Sequence, residues 1–226
     1  MLVNLLYILL TVIIVISIRL VYDNFKYAIF VPVLTSSICI ILVLLLWNVP
    51  YEQYKEGTKW IQELLGPAVV ALAYPLYHQR KVVMKYKWPL TLSISSGIIT
   101  GIVSAFIFAK IIPVETKVAI SSIPKSVTTP VAMDIAHIIG GSSSLAAAFV
   151  MVAGVGGAML GPVLFKGLKI YHYIGIGAGL GAASHGIGTA RALEFGKKEA
   201  AVSSISMTIS AFIYSIILPV AILYFI

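Results

Sequence analysis

Apolar runs of span length take up most of this chain and leave it few ways to fold. A helix needs about 20 apolar residues to cross the hydrocarbon core of a bilayer. Residues 2–18, 28–47, 61–78, 88–112, 142–165 and 201–225 approach or reach that length. Of all residues 60% are hydrophobic and 11% charged, whereas soluble domains carry about 25% charge. The chain is therefore read as an all-α integral membrane protein. The run Leu2–Ile18 has neither a basic leading segment nor a small-residue cleavage site, so it is expected to be a retained span, not a signal peptide. The run 61–78 holds Pro67 and Pro75 and is expected to be kinked or partly interfacial. No stretch resembles a soluble domain, so residues 1–226 are taken as a single membrane domain.

Two stretches remain, about 117–140 and 173–196. Each is long enough to cross once, or to enter halfway and return. They resemble one another at an offset of sixty residues. Thr129 meets Thr189, Ala132 meets Ala192, and Asp134 meets Glu194. The register continues where Ser143-Ser144-Leu145 meets Ser203-Ser204-Ile205, and upstream where Gly97 and Gly101 meet Gly157 and Gly161. Paired, broken hydrophobic segments point to the binding site of a transporter.

Loop charges choose between re-entry and crossing. If both stretches re-enter and the N-terminus is outside, ten basic residues (Arg19, Lys26, Arg80, Lys81, Lys85, Lys87, Lys166, Lys169, Lys197, Lys198) face the cytoplasm. Four (Lys55, Lys59, Lys110, Lys117) face outward. If both cross, Lys166 and Lys169 move outside and the count becomes eight against six. Positive residues favour the cytoplasmic side, so re-entry is expected. The expectation is then about six transmembrane helices plus two re-entrant or broken-helix segments in an inverted repeat, 88–147 and 148–207. The two hairpins would enter from opposite sides and meet near the midplane.

Irregular backbone at membrane depth survives only when buried in protein or lining a wet cavity. Pro124 and Pro130 frame the first break. Thr129 before Pro130 is good N-cap chemistry, which predicts a half-helix from 130 to about 139. In the second copy Thr189 is the aligned cap, with a half-helix from 190 to about 196. Two helix N-termini facing one another would make an anion site. Lys125 and Arg191 add full positive charges, Arg191 with bidentate geometry for a carboxylate. Ser126, Thr128, Thr129, Ser184 and Thr189 could hydrogen-bond its oxygens. Each has a structural reading as well. The two threonines would cap their helices without any ligand. Lys125 and Arg191 could simply pair with Asp134 or Glu194. His185 could carry a proton with the substrate, or hold a backbone carbonyl at the break.

Other features are blander. The net charge of +8 comes without a nucleic-acid-binding motif, so topology and anionic headgroups account for it. Cys39 stands alone, which excludes an intrachain disulfide and a cysteine metal cluster. His78, His137 and His172 lie near predicted span ends. No histidine spacing points to a metal, and no catalytic constellation points to an enzyme. Glycines are dense in 154–161 and 175–181, as close helix packing requires. A sliding surface is the alternative reading.

Three segments resemble the LrgB/CidB family of bacterial membrane proteins: Leu64-Leu65-Gly66-Pro67-Ala68 through Tyr77, Pro124-Lys125-Ser126-Val127-Thr128-Thr129-Pro130, and Ser184-His185-Gly186-Ile187-Gly188-Thr189-Ala190-Arg191. The resemblance covers nearly the whole chain. Members usually carry Ala where this chain has Gly186. The resemblance implies a multi-pass protein of the bacterial cell membrane with a small holin-like partner of the LrgA/CidA type. It also implies two functional classes. One is antiholin-like control of membrane permeability, murein hydrolase activity and lysis. The other is transport, since relatives are linked to pyruvate and a plastid relative looks like a glycolate/glycerate transporter. The residues themselves favour a transporter of small monocarboxylates of the pyruvate, glycolate or lactate class, without cofactor or metal. A homo-oligomer is left open.

Overall fold

The computed structural model describes residues 2–25, 32–64, 67, 70–71 and 73–222, and every element among them is helical. The chain divides into two compact units, Met1–Ala68 and Val69–Ile226.

The first unit holds α1 (Leu2–Phe25), α2 (Pro32–Leu46), α3 (Tyr51–Gly57) and α4 (Lys59–Glu63). Between α2 and α3 the chain bends by 120°, with Asn48 at positive φ and Pro50 directly before α3. The short α3 docks on α1 through Tyr54. Its ring meets Tyr7 edge-on with centroids 5.9 Å apart, and its hydroxyl shares a hydrogen bond of 2.8 Å with Thr11. Leu5, Leu6, Leu9, Ile13, Ile16 and Leu20 of α1 stay exposed. In water that face would be costly; in a bilayer it is ordinary lipid-facing surface.

The second unit holds α5 (Ala73–His78), α6 (Arg80–Lys85), α7 (Lys87–Ile111), α8 (Thr116–Ser122), a 3₁₀ turn (Ile123–Ser126), α9 (Thr129–Ile138), α10 (Ser143–Gly167), α11 (Tyr173–Phe195) and α12 (Lys197–Ile222). Among the described residues four helices are long and apolar enough to cross a membrane: α1, α7, α10 and α12. The bent pair α2–α3 makes up to five. The expected run 61–78 includes residues outside the described set, and its described parts are short helices. In α7 the buried positions Leu90, Ile94, Ile98 and Ala105 recur at helical spacing and turn one face inward.

The stretch 173–196 does not run straight through. In a continuous helix, residues eight apart are separated by about 12 Å. Here a side chain on Gly188 would collide with the Leu180 carbonyl, and Ile176, Leu180 and Ala192 share one apolar cluster. The pairs 180–188 and 176–192 are symmetric about Ser184, so α11 is a helical hairpin. Its ends lie together, because the Lys198 ammonium sits 5.8 Å from the Tyr173 ring. The stretch 117–140 also folds back. The Ser142 amide donates to the Ser121 hydroxyl at 2.7 Å, which closes the chain across the first break.

The two hairpins enter from opposite ends of α10. Tyr86, just before α7, meets Tyr173 edge-on at 5.9 Å. The start of α7, both ends of α11 and the start of α12 therefore share one end of the unit, reached by the C-terminus of α10. The first hairpin closes beside Ser143, at the other end of α10.

Candidate functional site

The tips of both hairpins reach the middle of the long helices. The first tip is the 3₁₀ turn followed by Val127 and Thr128 in extended conformation. The Ser126 side chain lies against Gly101, near the middle of α7; a Cβ there would sit 2.9 Å from Ser126 Oγ. The Tyr214 hydroxyl donates to the Ile98 carbonyl at 3.1 Å and also meets Ser126, so α12 braces this tip against α7. The second tip is Ser184–His185, with His185 at φ 47°, ψ −123°. That backbone region is close to glycine-only and stores about 1–3 kcal/mol of strain. The Ser184 hydroxyl occupies the notch that Gly157 leaves near the middle of α10. The His185 imidazole lies beside the Ser126 backbone, so the two tips meet.

Lys125 stands at this meeting point. Its ammonium donates to the Gly101 carbonyl at 3.1 Å and to Ser104 Oγ at 3.0 Å. Among the described residues no carboxylate pairs with it. A cavity of about 560 Å³ runs to Lys125 and Ser126 from the Tyr173 end, lined by Ser93, Ser96, Thr100 and Ser104 of α7 and by Phe165, Ile170 and Gly175. A second cavity of about 270 Å³ reaches Lys125 from the opposite side, lined by Ala105, Phe108, Ser122, Phe149 and Val152. One cation thus separates two cavities that lie toward opposite ends of α7.

The other expected site residues fall differently. Arg191 bonds to the Glu194 carboxylate three residues on in the same half-helix, the structural alternative weighed for it. Asp134 is exposed and has no ion pair among the described residues. The cap of α9 is Thr128, not Thr129, and its side chain makes no capping bond; Thr129 opens the helix with Pro130 behind it. Thr189 is not a cap either, because the break lies four residues earlier at His185. Its hydroxyl donates back to the His185 carbonyl at 2.9 Å and shares a hydrogen bond of 2.9 Å with Ser203. Among the described residues the buried Ser184 hydroxyl, Thr128 hydroxyl and His185 Nε2 have no hydrogen-bond partner. Of the expected set, Lys125 and Ser126 line the larger cavity.

The α7 hydroxyls were not anticipated. Their signal was present: Ser93, Ser96, Gly97, Thr100, Gly101 and Ser104 recur every three or four residues and form one small, polar stripe on a helix. The glycines of α11 serve close packing. A Cβ on Gly177 would sit 2.7 Å from Val202 Cβ, and one on Gly181 would collide with the Ser203 backbone. His78, His137 and His172 are exposed, and no metal-ligating cluster occurs among the described residues.

Comparison with known proteins covers nearly all of the chain. The model of the LrgB-like family matches residues 11–224. The protein YxaC of Bacillus subtilis is 43% identical over 215 residues, 95% of this chain and 94% of the relative. Holin-like protein CidB of Staphylococcus epidermidis is 34% identical over 218 residues, 96% and 95% of the two chains. Holin-like protein CidB of Staphylococcus aureus is 34% identical over 194 residues, 86% and 85%. No solved structure matches.

Proposed function

The chain belongs to the LrgB-like family of multi-pass bacterial membrane proteins, and we propose that it transports small monocarboxylates by alternating access around Lys125. The observation that carries this reading is a lysine that meets no carboxylate among the described residues and stands at the junction of two cavities. A lone charge at membrane depth costs about 2.5–3.5 kcal/mol on insertion scales. A monoanion offsets that cost, and the pair is then neutral. The carboxylate binds Lys125 and Ser126; the hydroxyls of Ser104, Thr100 and Ser96 take its remaining oxygens. A substrate the size of pyruvate, glycolate or lactate fits easily within 560 Å³.

In this reading the hairpins move against α7 and α10, so that the site opens through the larger cavity and then through the smaller one. The six-span inverted repeat, 88–147 and 148–207, belongs to the same proposal, because opposed hairpins allow the two states to be near mirror images. A membrane partner of the LrgA/CidA type belongs to it too. No catalytic step is assigned to any residue.

The names of the staphylococcal relatives, holin-like proteins, favour a second reading, control of membrane permeability. Uptake of labelled pyruvate, glycolate and lactate by purified protein in liposomes separates the two. Saturable uptake that competing monocarboxylates inhibit supports the transporter. A non-saturable leak that also passes uncharged solutes overturns it.

A further inference from the structure

At the Tyr173 end of the second unit, far from the hairpin tips, three elements bring basic and phenolic groups into one place. Lys85 Nζ lies 5.3 Å from the Tyr86 ring centroid, and Lys198 Nζ lies 5.8 Å from that of Tyr173. The two rings meet edge-on at 5.9 Å. The His172 ring stacks on Tyr173 at 4.7 Å. The neighbouring Tyr173 hydroxyl, aided by Lys85 and Lys198, draws the Tyr86 phenol below its ordinary range. Of the acidic groups of this region, Glu194 bonds to Arg191, and the Glu199 carboxylate lies against Gly196 at the start of its own helix.

Loop lysines placed only by topology would spread apart to lower their mutual repulsion. Here Lys85 and Lys198, 113 residues apart in sequence, are held on two touching rings. We propose that Lys85, Tyr86, Tyr173 and Lys198 form a binding site for a phosphate diester, the headgroup of an anionic phospholipid such as phosphatidylglycerol. The ammonium groups supply the charge and the Tyr86 hydroxyl supplies a donor, while the aromatic edges sit at the level where acyl chains meet headgroups. Because the four residues come from the entry to α7, the base of the α11 hairpin and the start of α12, a bound headgroup ties the base of the hairpin to its neighbours. The lipid would then steady the second hairpin. That consequence for transport rests on the proposed function; the binding itself does not.

The test is lipid retention by native mass spectrometry and thermal stability in phosphatidylcholine nanodiscs, with and without phosphatidylglycerol. The wild type should retain phosphatidylglycerol, and Lys85→Ala/Lys198→Ala should weaken retention by about tenfold or more, because each lysine contributes a charge-assisted hydrogen bond to the bound headgroup. Lys110→Ala, which removes a basic residue at the other end of α7, should change it less than twofold. Inorganic phosphate added to phosphatidylcholine nanodiscs distinguishes a free anion from a lipid; stabilisation by phosphate equal to that by phosphatidylglycerol would overturn the lipid assignment. Equal losses in Lys110→Ala and the double variant would reduce the cluster to general surface charge. Retention can be lost while uptake survives, so the two proposals fail separately.

Discussion

Gly188 lies directly against the backbone carbonyl of Leu180, eight residues earlier in the same helical segment. The contact exists because the chain reverses at Ser184–His185, and it needs a residue without a Cβ. The obstacle is backbone, which cannot swing aside. Gly188→Ala is therefore expected to prise the hairpin apart and cost about 1–3 kcal/mol or more. Gly186, two residues earlier, faces open space, and a Cβ there would meet nothing within 4 Å. Gly186→Ala should be neutral or stabilising by up to about 1 kcal/mol, because alanine is the better helix former. Thermal unfolding of the detergent-purified variants checks this. A similar loss in both would mean that the arms of α11 are not packed as described.

The long helices were legible because apolar runs of span length have almost no alternative fate. The breaks were legible as regions, since Pro124, Pro130, Gly186 and Gly188 interrupt apolar sequence. The start of the second half-helix was not. Alignment with Thr129 placed its cap at Thr189, yet the chain turns at His185, and a histidine at positive φ carries no marker in sequence. That four-residue difference moves Thr189 and Arg191 from the mouth of a half-helix into its body. Arg191 then sits one turn before Glu194 and pairs with it. Lys125 and Ser126 precede the first half-helix and stay at the tip. The α7 stripe was missed because isolated serines and threonines in an apolar run look like ordinary helix positions until the face they share is counted.

Topology offers an independent check. Tyr86, Tyr173 and Lys198 are neighbours, so residues 83, 168 and 198 should lie on one side of the membrane. In a Cys39→Ser background, Val83→Cys, Leu168→Cys and Lys198→Cys should all react with an impermeant maleimide from the same side. Position 168 labelling from the side opposite to 83 would refute the hairpin.

His185 combines a strained backbone with a buried side chain, 3% exposed. Its φ of 47° favours glycine. His185→Gly should therefore be more stable than His185→Ala by about 1 kcal/mol or more. Both should lose uptake, because neither places an imidazole against the Ser126 backbone where the two tips meet. His185→Ala matching His185→Gly in melting temperature would argue that the strain is absent. Full uptake in either variant would show that the tip-to-tip contact is dispensable.

The decisive comparison for the site is Lys125 against Arg191. Lys125 lines both cavities, and its partners among the described residues are neutral, the Gly101 carbonyl and Ser104. Arg191 already has Glu194. A hydrogen bond to a charged group contributes about 1.5–3 kcal/mol. Lys125→Gln keeps a donor of nearly the same reach but removes the charge, so apparent affinity for the monocarboxylate should fall by roughly ten- to hundredfold. The protein itself should be no less stable, since a neutral side chain at that depth is cheaper to bury. Arg191→Lys preserves a cation beside Glu194, and an i,i+3 pair contributes only about 0.2–0.5 kcal/mol. Its uptake should stay within about twofold of wild type. The measurement is initial uptake against substrate concentration in liposomes, with melting temperatures for each variant. A Lys125→Gln protein that transports normally would remove Lys125 from the site. If Arg191→Lys were instead the damaged variant at unchanged stability, substrate recognition would belong to the half-helix after His185.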